Sequence, residues 1–170
     1  GIDDITASAW FLLAQRFGNR SADGAVKRMN EEARNLQPDA FEKIGNMYQR
    51  GDELPQNFAE AVKWYRKSAE KGGPAVQFKL ASLLLEGQGG TPDYAEVRTL
   101  CEKGAKVLYS PAAYCMGELY ARGLGVERDL PMAAKWFTDA ASLGHALATL
   151  RLGQMYWKGE GVKQDKISAY

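Results

Sequence analysis

Residues 112–141 read AAYCMGELYARGLGVERDLPMAAKWFTDAA, and the fold follows from how often this pattern returns. Its glycine at 123 stands 36 residues from both Gly87 and Gly159, and Gly51 lies 36 residues before Gly87. The same offset carries Ile44, Leu80, Met116 and Leu152; Tyr48, Leu84, Tyr120 and Tyr156; Asn57, Asp93, Asp129 and Asp165; and Ala61, Val97, Ala133 and Ala169. A period between about 20 and 50 residues marks a solenoid, in which each unit buries its apolar face only against its neighbours.

Within one unit, Ala40, Ile44, Met47 and Tyr48 recur at helical spacing, and Gly51 stops the pattern where a helix C-cap is wanted. This is helix A. Asn57 followed by Glu60, and Asp93 followed by Glu96, resemble a capping box opening a second helix, B. Its inward face holds Ala61, Trp64, Tyr65, Ser68 and Ala69, matched by Ala133, Trp136, Phe137, Ala140 and Ala141. Pro38, Pro74 and Pro111 stand where each helix A begins, a position that has no N–H to lose. The pattern predicts helices over 3–17, 21–36, 38–50, 57–71, 75–86, 93–107, 111–122, 129–143 and 147–158, with a stub from 165. The predicted fold is all-α, an α-α superhelix of tandem 36-residue helical hairpins. Residues 38–73, 74–109, 110–145 and 146–170 form the repeats, the last of them truncated. Residues 1–37 form divergent N-terminal helices or a cap, in which Ala7, Trp10, Phe11 and Ala14 echo the helix B face.

Composition narrows the function. With 170 residues, 45% apolar and 25% charged, the chain has the balance of a soluble globular protein. Its net charge is +1 and the two signs are mixed along the chain, which offers no field to gather nucleic acid or an anionic membrane. No apolar stretch approaches the roughly 20 residues of a membrane span. Gly1 and the stop at Tyr170 look like cut sites in a longer protein. His145, the only histidine, falls in an expected surface turn with no Cys or carboxylate at ligand spacing, so neither a metal site nor a catalytic triad is expected. Asp3/Asp4 and Glu31/Glu32 read as solvated helical faces. The Gly87-Gln88-Gly89-Gly90 run follows no strand and reads as a divergent repeat loop rather than a phosphate cradle. Asn19-Arg20-Ser21 is a formal glycosylation triplet.

The pattern Ala112, Met116-Gly117, Tyr120, Gly123, Gly125-Val126, Asp129, Ala133, Trp136-Phe137, Ala140-Ala141 resembles the Sel-1-like repeat, a relative of the tetratricopeptide repeat. Residues 40–69 fit it apart from the loop, 76–105 diverge most, and 148–169 fit until the chain stops. The resemblance implies a right-handed superhelix whose A helices line a concave face that holds other proteins. It implies an adaptor or regulator in bacterial secretion, envelope signalling, motility or host contact, or in endoplasmic-reticulum quality control, with a bacterial envelope or secretion-associated adaptor, regulator or toxin-masking immunity protein expected first. A periplasmic or exported setting is then expected ahead of a cytoplasmic one. No enzymatic activity and no cofactor are implied. Some secreted members carry a disulfide at the positions held here by Ala105 and Ala113, so that staple is absent. Cys101 replaces the aromatic of Tyr65 and Phe137, and Cys115 occupies the column of Lys43, Lys79 and Arg151. The two read as unrelated thiols, although they lie almost symmetrically about a turn near Leu108 that could bring them together.

The remaining candidate is the helix A face that varies between repeats. Its positions read Glu42/Asn46/Gln49, then Phe78/Ser82/Leu85, Tyr114/Glu118/Ala121 and Leu150/Gln154/Trp157. A purely solvated face has no use for Phe78, Leu85, Tyr114, Leu150 and Trp157. One reading makes Phe78, Ser82, Leu85, Tyr114, Glu118, Leu150, Gln154 and Trp157 the contact set for another protein or peptide, with aromatic anchors beside orienting polar groups. The other packs them between adjacent A helices. Self-association through the odd N-terminal helices or the truncated last hairpin is a rival role as a structural module.

Overall fold

The computed structural model describes residues 4–18, 37–51 and 53–167. Among them are eight α-helices and no strand, in two compact units, Gly1–Pro92 and Asp93–Tyr170. The first unit holds α1 (Asp4–Arg16), α2 (Gln37–Arg50), α3 (Phe58–Ala69) and α4 (Pro74–Leu85), each packed on the next. The second holds α5 (Tyr94–Lys106), α6 (Ser110–Arg122), α7 (Leu130–Ser142) and α8 (Ala146–Lys158), again packed in sequence. The fold class is the α-α solenoid of tandem hairpins that the 36-residue period predicts.

The repeat pattern has a direct physical cause in the hairpins α2/α3 and α6/α7. Gly45 sits in α2 where an added Cβ would come within 2.7 Å of the Tyr65 ring, and Gly117 in α6 where it would come within 2.4 Å of Phe137. The aromatic of each helix B therefore lies flat on the backbone of its helix A. Tyr65 and Phe137 are fully buried there, as are Ile44 and Ala61 in one unit and Met116 and Ala133 in the other. Desolvation in this packing, reinforced by the Glu42 carboxylate, pushes the Tyr65 hydroxyl up to about 12. That hydroxyl still finds partners, lying 2.6 Å from Gln49 Oε1 and 2.9 Å from Asn46 Oδ1, either of which can accept its single proton.

The A–B loops are built alike in three repeats. Gly51, Gly123 and Gly159 follow helix A with φ of 79°, 68° and 72°, a left-handed conformation that suits glycine. The N–H of Asn57, Asp129 and Asp165 then donates to the carbonyl of Tyr48, Tyr120 and Tyr156 at 2.8, 3.0 and 3.0 Å. A side chain clamps each loop as well: Gln56, Arg128 and Gln164 donate to the carbonyls of Gln49, Ala121 and Trp157. In the second repeat Pro92 holds that position and has no such donor. Asn57, Asp93 and Asp129 cap the B helices by accepting from the backbone N–H three residues on.

Three expectations change and a fourth is refined. Trp10 and Phe11 do not repeat the helix B face: they are 40% and 42% exposed, and Ser8, Ala9, Leu12 and Leu13 point inward instead, because α1 meets α2 through a different stripe. Cys101 and Cys115 are not separate thiols but form a disulfide, with Cα atoms 6.1 Å apart. Antiparallel packing of α5 on α6 about the turn at Leu108 (φ 59°) brings them together. His145 follows the turn at Leu143–Gly144, as expected, but is engaged there as the N-cap of α8, its Nδ1 accepting from the Ala148 N–H at 3.3 Å. The stub from 165 begins as a turn at Lys166–Ile167, and its remainder lies outside the described residues. The helix expected over 21–36 and the triplet at 19–21 also lie outside them.

Candidate protein-interaction surface

The variable face of the A helices has different surroundings in each repeat. In the first unit, α2 presents Glu42 and Asn46, and Lys79 of α4 reaches back to them with Nζ 2.6 Å from Glu42 Oε1 and 3.3 Å from Asn46 Oδ1. Lys43 makes the corresponding reach from α2 to α1, donating to Thr6 Oγ1 at 2.6 Å. A cation at one column of helix A thus ties it to the helix one repeat earlier. Phe78, Ser82 and Leu85 lie half-buried on α4.

In the second unit the same column holds Arg151, on α8. Its Nε and a terminal nitrogen donate to the two carboxylate oxygens of Glu118 at 3.0 and 3.3 Å. Glu118 is buried, and this bidentate pairing satisfies its charge. Tyr114 lies over the His145 ring, centroids 4.6 Å apart and nearly parallel, and the Phe137 ring is tilted against it with centroids 5.5 Å apart. Burial raises the Tyr114 hydroxyl above its ordinary pKa, and that hydroxyl is the main reason the Arg151 guanidinium is held above its own. Tyr114 and Glu118 are therefore engaged between α6 and α8.

On α8 itself the equivalent face opens outward. Leu147, Leu150 and Trp157 are 56%, 57% and 47% exposed and Gln154 is exposed beside them. Positions 147, 150, 154 and 157 follow helical spacing and form one stripe. The Lys166 ammonium lies 5.3 Å from the Trp157 ring centroid. Of the eight residues the sequence singles out, this structure places Leu150, Gln154 and Trp157 on one exposed face of α8. It sets Tyr114 and Glu118 on neighbouring α6, and Phe78, Ser82 and Leu85 in the other unit.

Beside the stripe lies a cleft of about 190 Å³ between α6, α7 and α8, floored by Ala121, Leu130, Phe137 and Met155. Arg122, Arg128, Arg151 and Lys158 line it with Glu118, Glu160 and Gln154. The sequence pattern does not single out these four cations as a group. A partial signal is present in the columns, where Arg128 replaces Gln56 and Gln164. No group of three or more His, Cys, Asp or Glu residues able to hold a metal occurs among the described residues. No helix among them is long and apolar enough to cross a membrane.

The family model described as Sel1 repeat matches residues 40–73, 74–106, 110–145 and 146–170. The solved Sel1 repeat protein from Oxalobacter formigenes aligns with a TM-score of 0.72 at 31% identity, over 95% of this chain and 65% of that one. A protective antigen present in uropathogenic Escherichia coli strains, displaying an SLR fold, aligns with a TM-score of 0.71 at 31% identity, over 98% of this chain and 40% of its own. Among curated proteins, the Sel1-repeat-containing protein YjcO of Escherichia coli K12 is 26% identical over 91 residues, 51% of this chain and 40% of the relative. Chitin synthase regulatory factor 3 of Schizosaccharomyces pombe is 25% identical over 111 residues, 64% of this chain and 12% of the relative. The chain thus spans at most 40% of either curated relative.

Proposed function

This chain belongs to the Sel1 repeat family, and from that premise we propose that it is a non-enzymatic scaffold whose contact with a partner protein is made by the exposed face of α8. Sel1 repeats serve as scaffolds for protein–protein contact. The observation that carries the choice of face is the stripe Leu147, Leu150 and Trp157 with Gln154 among them, three large apolar side chains about half exposed along one helix. An aromatic and two leucines around a polar group are the anatomy of an interface centre, where burial of a few anchors supplies most of the affinity. Phe78, Ser82 and Leu85 on α4 are a second candidate patch in the other unit.

The setting we propose is a bacterial adaptor in the envelope or outside the cell. Bacterial relatives support the first part. The Cys101–Cys115 disulfide supports the second, because such bonds persist in oxidising compartments and are rare in a reducing cytosol.

The test is to capture partners from the source organism, identify them by mass spectrometry, and measure one purified partner against wild type and Leu150→Ala/Trp157→Ala. Both side chains are half exposed, so the variant should melt with wild type. A loss of at least about tenfold in affinity is expected. Equal affinity would move the contact elsewhere.

A further inference from the structure

The A–B loop clamp contains a charge that the clamp does not need. Gln56 and Gln164 close their loops by donating to the carbonyls of Gln49 and Trp157 at 2.9 and 2.8 Å. Arg128 does the same work through Nε alone, 3.1 Å from the Ala121 carbonyl. Its remaining guanidinium N–H groups, and its charge, are surplus to the loop. Arg128 lines the cleft between α6, α7 and α8, and also a neighbouring concavity that holds Arg98, Glu127 and Asp129.

The other charges of the cleft are only partly matched. Arg151 is neutralised by Glu118. Lys158 is paired with Glu160 at 3.9 Å with both side chains more than half exposed, a separation at which water screens most of the attraction. Arg122 completes the set from the last turn of α6. Four cations against the two carboxylates Glu118 and Glu160 leave the lining at a net charge of +2. A different concavity, on α1 and α2 of the first unit, is lined by Asp39, Glu42, Lys43, Arg50 and Glu53 beside Ile5, and its three carboxylates and two cations give a net charge of −1. A positive lining is therefore not shared by every concavity among the described residues.

Size decides what could enter. Pockets for cofactors and metabolites enclose about 300–1,000 Å³, and this one encloses about 190 Å³. That is room for a side chain, not for a nucleotide. Arginine's planar fork of donors suits a carboxylate, and the apolar floor of Ala121, Leu130, Phe137 and Met155 suits the methylenes that carry one. Gln154 belongs both to this lining and to the exposed stripe of α8.

We propose that this cleft receives the carboxylate side chain of an acidic segment in a partner protein, held by Arg122, Arg128 and Lys158. The inference rests on the scaffold reading above and names the chemistry of the partner. A segment bearing Glu or Asp next to apolar residues would place its carboxylate among the three cations and its apolar side chains against Leu150 and Trp157.

The test uses two fluorescein-labelled peptides of equal length, one alternating Glu-Glu-Leu and one with every Glu replaced by Gln, titrated by fluorescence anisotropy. The key variant is Arg122→Gln/Arg128→Gln, because glutamine keeps the loop clamp in two other repeats and the fold should survive. Wild type is expected to bind the Glu peptide at least about tenfold more tightly than the Gln peptide. Affinity for the Glu peptide should also fall at least about tenfold in the variant and in raised salt. Arg50→Gln, the corresponding change in the first unit, should leave binding unaltered. Equal binding of the two peptides, an unaffected double variant, or no binding of the Glu peptide at millimolar concentration would each overturn the proposal. Should the peptides fail while a captured partner still depends on Leu150 and Trp157, the cleft assignment falls and the scaffold reading stands.

Discussion

Arg151 of α8 grips both carboxylate oxygens of Glu118 on α6, 33 residues earlier, at 3.0 and 3.3 Å, while Lys79 holds Glu42 through one contact at 2.6 Å. The two pairs share the same cation column but differ in burial. The Glu118 side chain is 11% exposed and that of Glu42 is 27%.

Their removal should therefore differ in cost. Arg151→Ala strands a buried carboxylate and should destabilise by about 1–3 kcal/mol. Lys79→Ala leaves a carboxylate that water can reach and should cost about 0.2–1 kcal/mol. Urea unfolding of both variants checks the order, and equal losses would contradict it.

Gly117 should be harder to replace than most glycines in helices. Alanine there gains about 1 kcal/mol in helix propensity, but its Cβ would come within 2.4 Å of the Phe137 ring. Overpacking of that kind costs about 1–3 kcal/mol, and the clash here is at the severe end, so Gly117→Ala should be net destabilising. Gly73→Ala, with nothing within 4 Å of the added carbon, should stay within about 0.5 kcal/mol of wild type. Thermal melts of the pair provide the comparison.

The disulfide closes a loop with a sequence separation of 14, for which chain entropy predicts about 3 kcal/mol of stabilisation. Cys101→Ala/Cys115→Ala should lose an amount of that order in guanidinium unfolding. Both cysteines are buried, so the thiols are counted in denaturant: none should react without reductant and two with it. Two thiols reacting in denaturant without reductant would refute the pairing.

His145 introduces a pH dependence with a defined sign. Burial lowers its pKa below the usual 6.5, so the folded chain favours the neutral ring whose Nδ1 caps α8. Between the folded and unfolded pKa values the unfolded chain binds more protons, and stability rises with pH. This contribution is complete above about 6.5 and is lost as pH falls below it. Melts from neutral pH down to about 5 should show the decline in wild type. His145→Asn, which can still cap but does not titrate, should flatten it. Glu60 acts in a lower window. Its pKa is depressed by the hydrogen bond from Lys63 first and then by Arg16, so what it contributes is lost as pH falls through the ordinary carboxylate range and below it.

Much of the repeat was legible because its signals are local. The glycine that ends helix A, the Asx residue that caps helix B and the aromatic opposite Gly45 or Gly117 each act within one hairpin, and spacing alone exposes them. The candidate contact face was legible only as a column of residue types. Tyr114 and Leu150 occupy the same register position, yet one is stacked on His145 and the other is exposed. Their surroundings depend on the neighbouring helices packed against each, which a single repeat does not encode.

What the sequence determined by itself was the all-α class, the hairpin unit and the family, since a period of 36 residues with fixed glycines admits few backbones. Tertiary structure alone decided that Cys101 meets Cys115, that Arg151 consumes the charge of Glu118, and that Arg122, Arg128 and Lys158 line one cleft. These facts join residues from different helices. The physical reason is that pairing energy depends on distance and burial after packing, and neither quantity is carried by residue type or by spacing along the chain.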